Sequence, residues 1–202
     1  MHLCGAQRFL ADFCRPVARR RVTRTYAEGV GNKSRSIRTL HAAATASNHT
    51  IDQGTEGLSR TLDVLDAAGL EHTGSYRTRA ESAGILMLQT KAARIAVIAG
   101  TYGLNGQVPE QPWQVDMLDA AAMIGKAKLA RSQGADIVLA AMHAGDEYAS
   151  APNAQQLEVA RALADSGQFT LIYGHHTHSV LPIEKYKGTW IASRPGPEPT
   201  SC

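Results

Sequence analysis

Histidines are concentrated directly after one short apolar run late in the chain. Residues 169–173 are rich in β-branched and aromatic side chains, and Gly174 is followed by His175, His176 and His178. This pattern predicts a buried strand that ends in a tight turn and delivers imidazoles to its carboxyl end. Imidazole nitrogen binds zinc, copper, iron or manganese well. The cluster therefore favours a metal site over the alternative of three solvated loop histidines.

A second apolar run also leads into a histidine. Residues 136–142 predict another buried strand, and His143 follows it at once, with Glu147 and Tyr148 shortly after. In open parallel sheets, ligand sites lie outside the carboxyl ends of the strands. We therefore expect His143 to lie close to the histidines that follow residues 169–173.

A third candidate group precedes a helical pattern. Asn48 and His49 lie in a polar, turn-like segment, and Asp52, three residues after His49, could hold its imidazole. Taken alone, these residues could equally form a capping cluster with an exposed histidine. The functional argument is convergence, because this loop could join the two strand ends that carry the other histidines.

Strand and helix patterns alternate between these groups. Asn153 is expected to cap the last helix, with Gln156 at the capping-box position. Further elements are a strand at 93–99, helices near 58–68, 116–132 and 153–167, and a hairpin at 183–191. This order predicts an α/β fold in which mostly parallel strands are covered by helices.

Charge divides the chain unevenly. Residues 1–40 contain nine Lys and Arg against two acidic residues, whereas the remainder contains twelve against sixteen. We predict a basic, poorly ordered arm at 1–41, one domain at 42–192 and a proline-rich tail at 193–202. The arm could bind a polyanion, be merely solvated, or not be the natural start of the domain. It does not indicate nucleic acid, since aromatic interleaving and a known nucleic-acid-binding fold are lacking.

Cellular location and redox compartment are weakly constrained. The three cysteines, Cys4, Cys14 and Cys202, form neither a closed disulfide framework nor a zinc-type spacing. No apolar run approaches the roughly 20 residues that span a bilayer. The N-terminus lacks the apolar core of a secretory signal, so the sequence as written predicts a cytoplasmic protein without a membrane span.

The motifs together resemble those of a known family. Asn48-His49-x-x-Asp52, His143-x-Gly145-x-Glu147-Tyr148 and Gly174-x-His176-x-His178 are similar to motifs of CapA-type capsule (poly-γ-glutamate) biosynthesis proteins. These proteins belong to the calcineurin-like metallophosphatase superfamily and often act outside the cytoplasmic membrane. The resemblance covers about residues 42–192 and implies a partial metallophosphatase-like layered fold.

The resemblance implies a metal-ligand set. Asn48, His143 and His176 would bind one divalent metal, and His178 would belong to a second. Two metals would polarise the scissile group and activate a water molecule.

The same resemblance implies catalytic and substrate roles. His49 would donate a proton to the leaving group, with Asp52 tuning its pKa. Glu147, Tyr148 and His175 would belong to the substrate pocket. The implied substrates are a phosphoester or an anionic γ-glutamyl polymer, and membrane proteins of capsule synthesis are the implied protein partners.

The chain departs from the family at both ends. Family members begin with a strand that ends in Gly-Asp and supplies early carboxylate ligands, whereas Asp12 and Glu28 are the only acids here before Asp52. Ala144 stands where the family usually has tryptophan, and the proline-rich tail replaces a later family segment. The domain is therefore expected to be incomplete.

The missing carboxylates limit the expected chemistry. Two cations a few ångströms apart repel strongly unless negative ligands neutralise them. We therefore predict one weakly held Mn, Zn or Fe ion and little or no hydrolysis. The competing hypotheses are a CapA-like metal-dependent hydrolase, a non-catalytic component that binds capsule polymer during synthesis or export, and an inactive fragment.

Overall fold

The computed structural model describes residues 41–193. The predicted basic arm, apart from His41, and the proline-rich tail, apart from Ser193, lie outside the described residues. In chain order, the elements are β1 (Ala42–Ala44), α1 (Gly54–Ala67), β2 (Glu71–Thr73), α2 (Arg79–Ser82), β3 (Leu86–Gln89), β4 (Arg94–Thr101), α3 (Ala120–Ser132), β5 (Ile137–Ala144), α4 (Ala154–Asp165), β6 (Leu171–His176), β7 (Ile183–Tyr186) and β8 (Thr189–Ala192).

Most strands belong to one six-stranded sheet in the order β3-β4-β5-β6-β8-β7. The four inner strands run parallel, while β3 and β7 pair antiparallel at the two edges. The remaining strands, β1 and β2, form a separate parallel pair. The α/β class and the mostly parallel sheet predicted from the sequence are confirmed.

The sheet is buried on both faces. On one face, α3 and α4 pack against the alternate strand residues Ile98, Ala140 and Ile172. On the other face, Ala42 and Ala46 pack against the intervening residues of β4 and β5. A third apolar cluster lies under α1, where its leucines meet Ile51, Leu104 and Val115, among others. The molecule is therefore layered, with the β1–β2 pair and α1 covering one side of the large sheet.

Helix boundaries follow local capping chemistry. The Asn153 capping box predicted from the sequence is confirmed. The start of the preceding helix was predicted too early: α3 begins at Ala120, because the Asp119 side chain accepts a hydrogen bond of 2.8 Å from the backbone N–H of Ala122. The predicted hairpin is confirmed as β7 and β8. Among residues 41–193, no helix is long and apolar enough to cross a membrane.

The histidine-bearing strand differs from the prediction. We expected the strand to stop at Gly174, but β6 continues through His176. It does so because the neighbouring β5 runs on to Ala144, so that His143 pairs with His175 and Ala144 with His176. The imidazoles therefore emerge from regular strand positions as well as from the turn beyond them.

Candidate functional site

The carboxyl ends of β5 and β6 bring two histidines into contact. His143 and His175 are register partners on adjacent parallel strands, and their Nδ1 atoms lie 2.6 Å apart. Both residues are about 9% exposed. The expected closeness of His143 to the later histidines is confirmed at the carboxyl ends of these two inner strands.

Asn48 reaches the same point from another layer of the molecule. Its Oδ1 lies 2.8 Å from His143 Nε2, and the residue is only 5% exposed. The loop is held locally by the Thr50 hydroxyl, which donates to the backbone carbonyls of Thr45 and Ser47 at 2.7 Å. Ile51, three residues after Asn48, packs the loop against the apolar cluster under α1.

The hydrogen bonds of His143 determine which of its nitrogens carries the proton. Burial, together with the neighbouring His175 and His176, lowers the pKa of His143 to about 2, so the ring is neutral. An amide oxygen only accepts hydrogen bonds, so His143 Nε2 must donate to Asn48. His143 Nδ1 is then left to accept a hydrogen bond from His175 Nδ1–H.

His176 and His178 approach the pair from the strand end. The ring centroids of His143 and His176 are 4.8 Å apart, and those of His176 and His178 are 6.4 Å apart. Their φ angles are +99° and +52°, which L side chains rarely adopt. Burial lowers the pKa of His176, against an opposing effect of Glu147. The chain therefore leaves the regular strand conformation where the His176 ring approaches that of His143.

A His–Asp pair borders the site. His49 Nδ1 lies 2.6 Å from Asp52 Oδ2, as expected from the sequence. The two side chains are 64% and 38% exposed, so the pair faces solvent. A carboxylate on Nδ1 fixes the ring orientation and directs Nε2 towards the Asn48 amide, 3.4 Å away.

The three residues assigned to the substrate pocket differ in exposure. Tyr148 is 75% exposed, and its ring stacks on His178 with a centroid distance of 5.6 Å. Glu147 Oε1 lies 3.8 Å from His178 Nε2. His175 lies in the interior instead, with His143 as its hydrogen-bond partner. This burial favours a role in orienting His143 over direct contact with substrate.

Residues 101–106 also resemble the family, but the sequence analysis gave no role in the site to two of them, Tyr102 and Asn105. The Tyr102 ring lies 4.8 Å from that of His176 and 6.4 Å from that of His143. Asn105 Oδ1 accepts a hydrogen bond of 3.1 Å from Asn48 Nδ2. Both residues follow β4, whose carboxyl end lies at the same sheet edge as His143. The strand-end rule that selected His143 would therefore have selected this loop as well.

The donor set suits one cation at most. Within residues 41–193, no group of three or more His, Cys, Asp or Glu side chains is arranged to hold a metal ion. The side chains that could act together are the amide of Asn48 and the imidazoles of His143 and His176, all neutral ligands. Neutral oxygen and nitrogen donors could hold a single divalent ion weakly but do not neutralise a close pair of ions.

The fold is metallophosphatase-like. The structure is similar to that of sulfate thiohydrolase SoxB from Thermus thermophilus, with a TM-score of 0.50 and 19% identity over 77% of this chain and 28% of that one. It is also similar to a provisionally named 5′-nucleotidase from Staphylococcus aureus, with a TM-score of 0.53 and 18% identity over 79% of this chain and 32% of that one. At these identities the likeness establishes the fold alone.

The sequence places the chain in a particular family. Residues 36–193 match the family described as bacterial capsule synthesis protein PGA_cap, and the chain belongs to that family. It is 29% identical over 147 residues to capsule biosynthesis protein CapA of Bacillus anthracis, covering 70% of this chain and 36% of that protein. It is 32% identical over 157 residues to PGA biosynthesis protein CapA of Bacillus subtilis, covering 72% and 39% respectively. The chain thus spans less than two fifths of the length of these relatives.

Proposed function

We propose that this chain acts in poly-γ-glutamate capsule biosynthesis through a metallophosphatase-type site that binds one divalent cation weakly and has little or no hydrolytic activity. The family match supports the biosynthetic role. The observation that carries the assignment of the site is the meeting of Asn48, His143 and His176 at one sheet edge, where Asn48 Oδ1 lies 2.8 Å from His143 Nε2.

Each side chain has a defined task in the proposed site. Asn48 Oδ1 and His143 Nε2 would hold the cation in place of the hydrogen bond between them, with the His143 proton moved to Nδ1, where it would bond to His175. His176 would complete the set, with His178 at its margin. The bound cation would polarise a phosphoester or carboxylate oxygen of the ligand. His49 would be the proton donor to a leaving group, with its ring oriented by Asp52 at Nδ1.

The proposed low activity follows from charge. The carboxylates around the imidazoles already have partners: Asp52 meets His49, Glu147 lies beside His178, and Asp146 accepts a hydrogen bond from Asn153. A second cation would therefore face the first without a bridging negative ligand among the described residues. Activation of water between two metals is accordingly not part of the proposal.

The charges around the site make polymer binding dependent on the cation. Asp52, Asp146 and Glu147 flank the imidazoles, and the last two act electrostatically on His176. A polycarboxylate would be repelled by this border unless a cation bridges it to the protein. Poly-γ-glutamate is therefore expected to bind in the presence of Mn²⁺ and to dissociate when a chelator is added.

Calorimetric titration with Mn²⁺ and with Zn²⁺ tests the site. We expect one weak site in the natural chain, its loss in His143→Ala, and its retention in His72→Gln, a histidine outside the site that pairs with Asp66. Turnover of a generic phosphodiester is measured on the same samples. Two tight sites, or turnover that disappears in His143→Ala, would replace the proposal with an active two-metal hydrolase.

A non-catalytic polymer-binding component is the second candidate. Among residues 41–193, no three His, Cys, Asp or Glu side chains are arranged to hold a metal ion, and this favours polymer binding without catalysis. Binding of poly-γ-glutamate that persists in chelator and in His143→Ala would support this candidate over a cation-dependent site.

A further inference from the structure

We infer that Asn105 is a positioning residue that fixes the Asn48 amide so that its oxygen faces His143. The inference concerns the orientation of Asn48 and rests on the proposed function only in treating Asn48 as a metal ligand. It assigns a role to the loop that follows β4, which the site motifs of the sequence do not include.

The loop at residues 102–106 is fixed on two sides. The backbone N–H of Tyr102 donates to the carbonyl of His143 at 2.9 Å, which ties the loop to the end of β5. Leu104 is 5% exposed and belongs to the same apolar cluster as Ile51, on the loop that carries Asn48. The loop therefore holds a fixed place between Asn48 and His143.

Both the NH₂ group and the oxygen of the Asn48 amide have hydrogen-bond partners. Its Nδ2 faces two acceptors, Asn105 Oδ1 at 3.1 Å and His49 Nε2 at 3.4 Å. His49 Nε2 accepts because Asp52 takes the Nδ1 hydrogen at 2.6 Å. With both amide hydrogens used in this way, the Asn48 oxygen is left to face His143.

Asn105 is the stronger of the two constraints on this amide. Its hydrogen bond is shorter than that of His49, and Asn48 is buried, so an unsatisfied amide hydrogen would be costly. Without Asn105 the amide could rotate by 180° and present its NH₂ group to His143. A rotated amide cannot ligate a cation through oxygen, and it would also force the His143 proton from Nε2 to Nδ1.

The backbone conformation of Asn105 allows substitutions that change its side chain without straining the loop. Its φ is +52°, a conformation that Asn and Gly tolerate better than other residues. Asn105→Gly therefore removes the side chain without backbone strain. Asn105→Asp keeps an oxygen that can accept from Asn48 Nδ2. Gln107→Ala changes an exposed side chain in the same turn and serves as the control.

The first measurement uses the metal-free protein. Long-range ¹H–¹⁵N correlation spectra report which imidazole nitrogen of His143 is protonated, with the signals assigned by comparison with His143→Gln. We expect the Nε2–H form in the natural chain, in Asn105→Asp and in Gln107→Ala, and a mixture of both forms in Asn105→Gly. An unchanged Nε2–H form in Asn105→Gly would overturn the inference, as would equal mixtures in the Gly and Asp variants.

The second measurement is Mn²⁺ affinity by calorimetry. We expect the affinity to fall about tenfold in Asn105→Gly, as is common when a residue that orients a ligand is removed, and to be largely retained in Asn105→Asp. Thermal unfolding of Asn105→Asp should match that of Gln107→Ala, whereas Asn105→Gly should unfold at a lower temperature but remain folded at the temperature of the titration. A lower affinity in folded Asn105→Gly then separates positioning from a general structural role. If the natural chain binds no Mn²⁺ but the tautomer change in Asn105→Gly is seen, the proposed function fails while the positioning role stands.

Discussion

The Nδ1 atoms of His143 and His175 lie 2.6 Å apart across two adjacent parallel strands. Only one of these nitrogens can carry the shared hydrogen, so the contact is an N–H···N hydrogen bond. The pair is buried, and a positive charge on His143 would therefore be strongly unfavourable. The arrangement therefore keeps His143 neutral over the physiological pH range, as ligation of a metal ion requires.

Acidification should destabilise the protein through His143. In the unfolded chain this residue titrates near 6.5, whereas its pKa in the folded protein is lowered to about 2. Below pH 6.5 the unfolded state therefore binds a proton that the folded state does not. The free energy of unfolding consequently decreases as the pH is lowered. From pH 7.5 to 5.5 we expect His143 to account for a loss of about 1 kcal/mol in the free energy of unfolding.

Urea denaturation at several pH values measures this loss. His143→Gln, which cannot titrate, is the matched comparison and should show a shallower dependence on pH between 7.5 and 5.5. Equal slopes for the two proteins would mean that His143 is not held neutral by its surroundings.

Replacement of Gly174 by alanine should be strongly destabilising. A Cβ at this position in β6 would overlap the backbone carbonyl oxygen of Ser193. Because the backbone of Ser193 can move little, we expect Gly174→Ala to lower the free energy of unfolding by about 2 kcal/mol or more.

Gly125→Ala in α3 is the control, since nothing lies within 4 Å of its added methyl group. That change should stabilise by about 0.5–1 kcal/mol, as alanine does in an exposed helix. Urea midpoints of the two variants that shift the same way would contradict this account.

The ion pair of Lys126 and Asp116 should contribute more to stability than a surface pair. Lys126 Nζ lies 2.7 Å from both Asp116 carboxylate oxygens, and the Tyr76 hydroxyl donates to the same carboxylate at 2.6 Å. Although burial opposes it, Tyr76 and Asp116 raise the pKa of Lys126. Asp116→Ala leaves a mostly buried ammonium group short of partners, and we expect a loss of about 2 kcal/mol.

The matched surface pair is Lys187 with Asp165, which meet at 2.6 Å but are 64% and 45% exposed. Asp165→Ala should leave the free energy of unfolding almost unchanged, because solvent screens an exposed pair. Similar losses in Asp116→Ala and Asp165→Ala would show that burial does not strengthen the Lys126 network.

Removal of the proposed metal should lower thermal stability. Mn²⁺ at ten times its dissociation constant would stabilise the folded state by about 1.4 kcal/mol, because it binds that state selectively. This corresponds to a rise in melting temperature of about 3–6 °C for a domain of this size. A chelator should reverse the rise, and His143→Gln should not show it. A melting temperature that ignores Mn²⁺ in the natural chain would count against the metal site.

Local sequence patterns predicted the parts of the site that depend on strand ends. His143 and the later histidines follow buried apolar runs, and parallel strands bring such ends together. The His49–Asp52 contact was also predictable, since a spacing of three residues in a turn lets the side chains meet. The resemblance to the family then implied a chemical role for each of these residues, which their positions at strand ends do not indicate.

Other features depend on tertiary context and were not predicted. The strand Ala42–Ala44 has three alanines, which have no β preference, and it exists because β2 pairs with it. The extension of β6 through His176 depends on the length of its neighbour β5. The inward position of His175 follows from alternation, because it shares a face with the buried Tyr173 two residues earlier.

The donors of the site are divided between two layers of the molecule. Asn48 lies on a loop whose Ile51 packs in the apolar cluster beneath α1, while His143 and His176 lie on the six-stranded sheet. Partial opening of the smaller layer would separate these donors while the sheet stayed intact. A cation bound between them would then act as a reversible crosslink, and slower amide hydrogen exchange in α1 on its addition would be the signature.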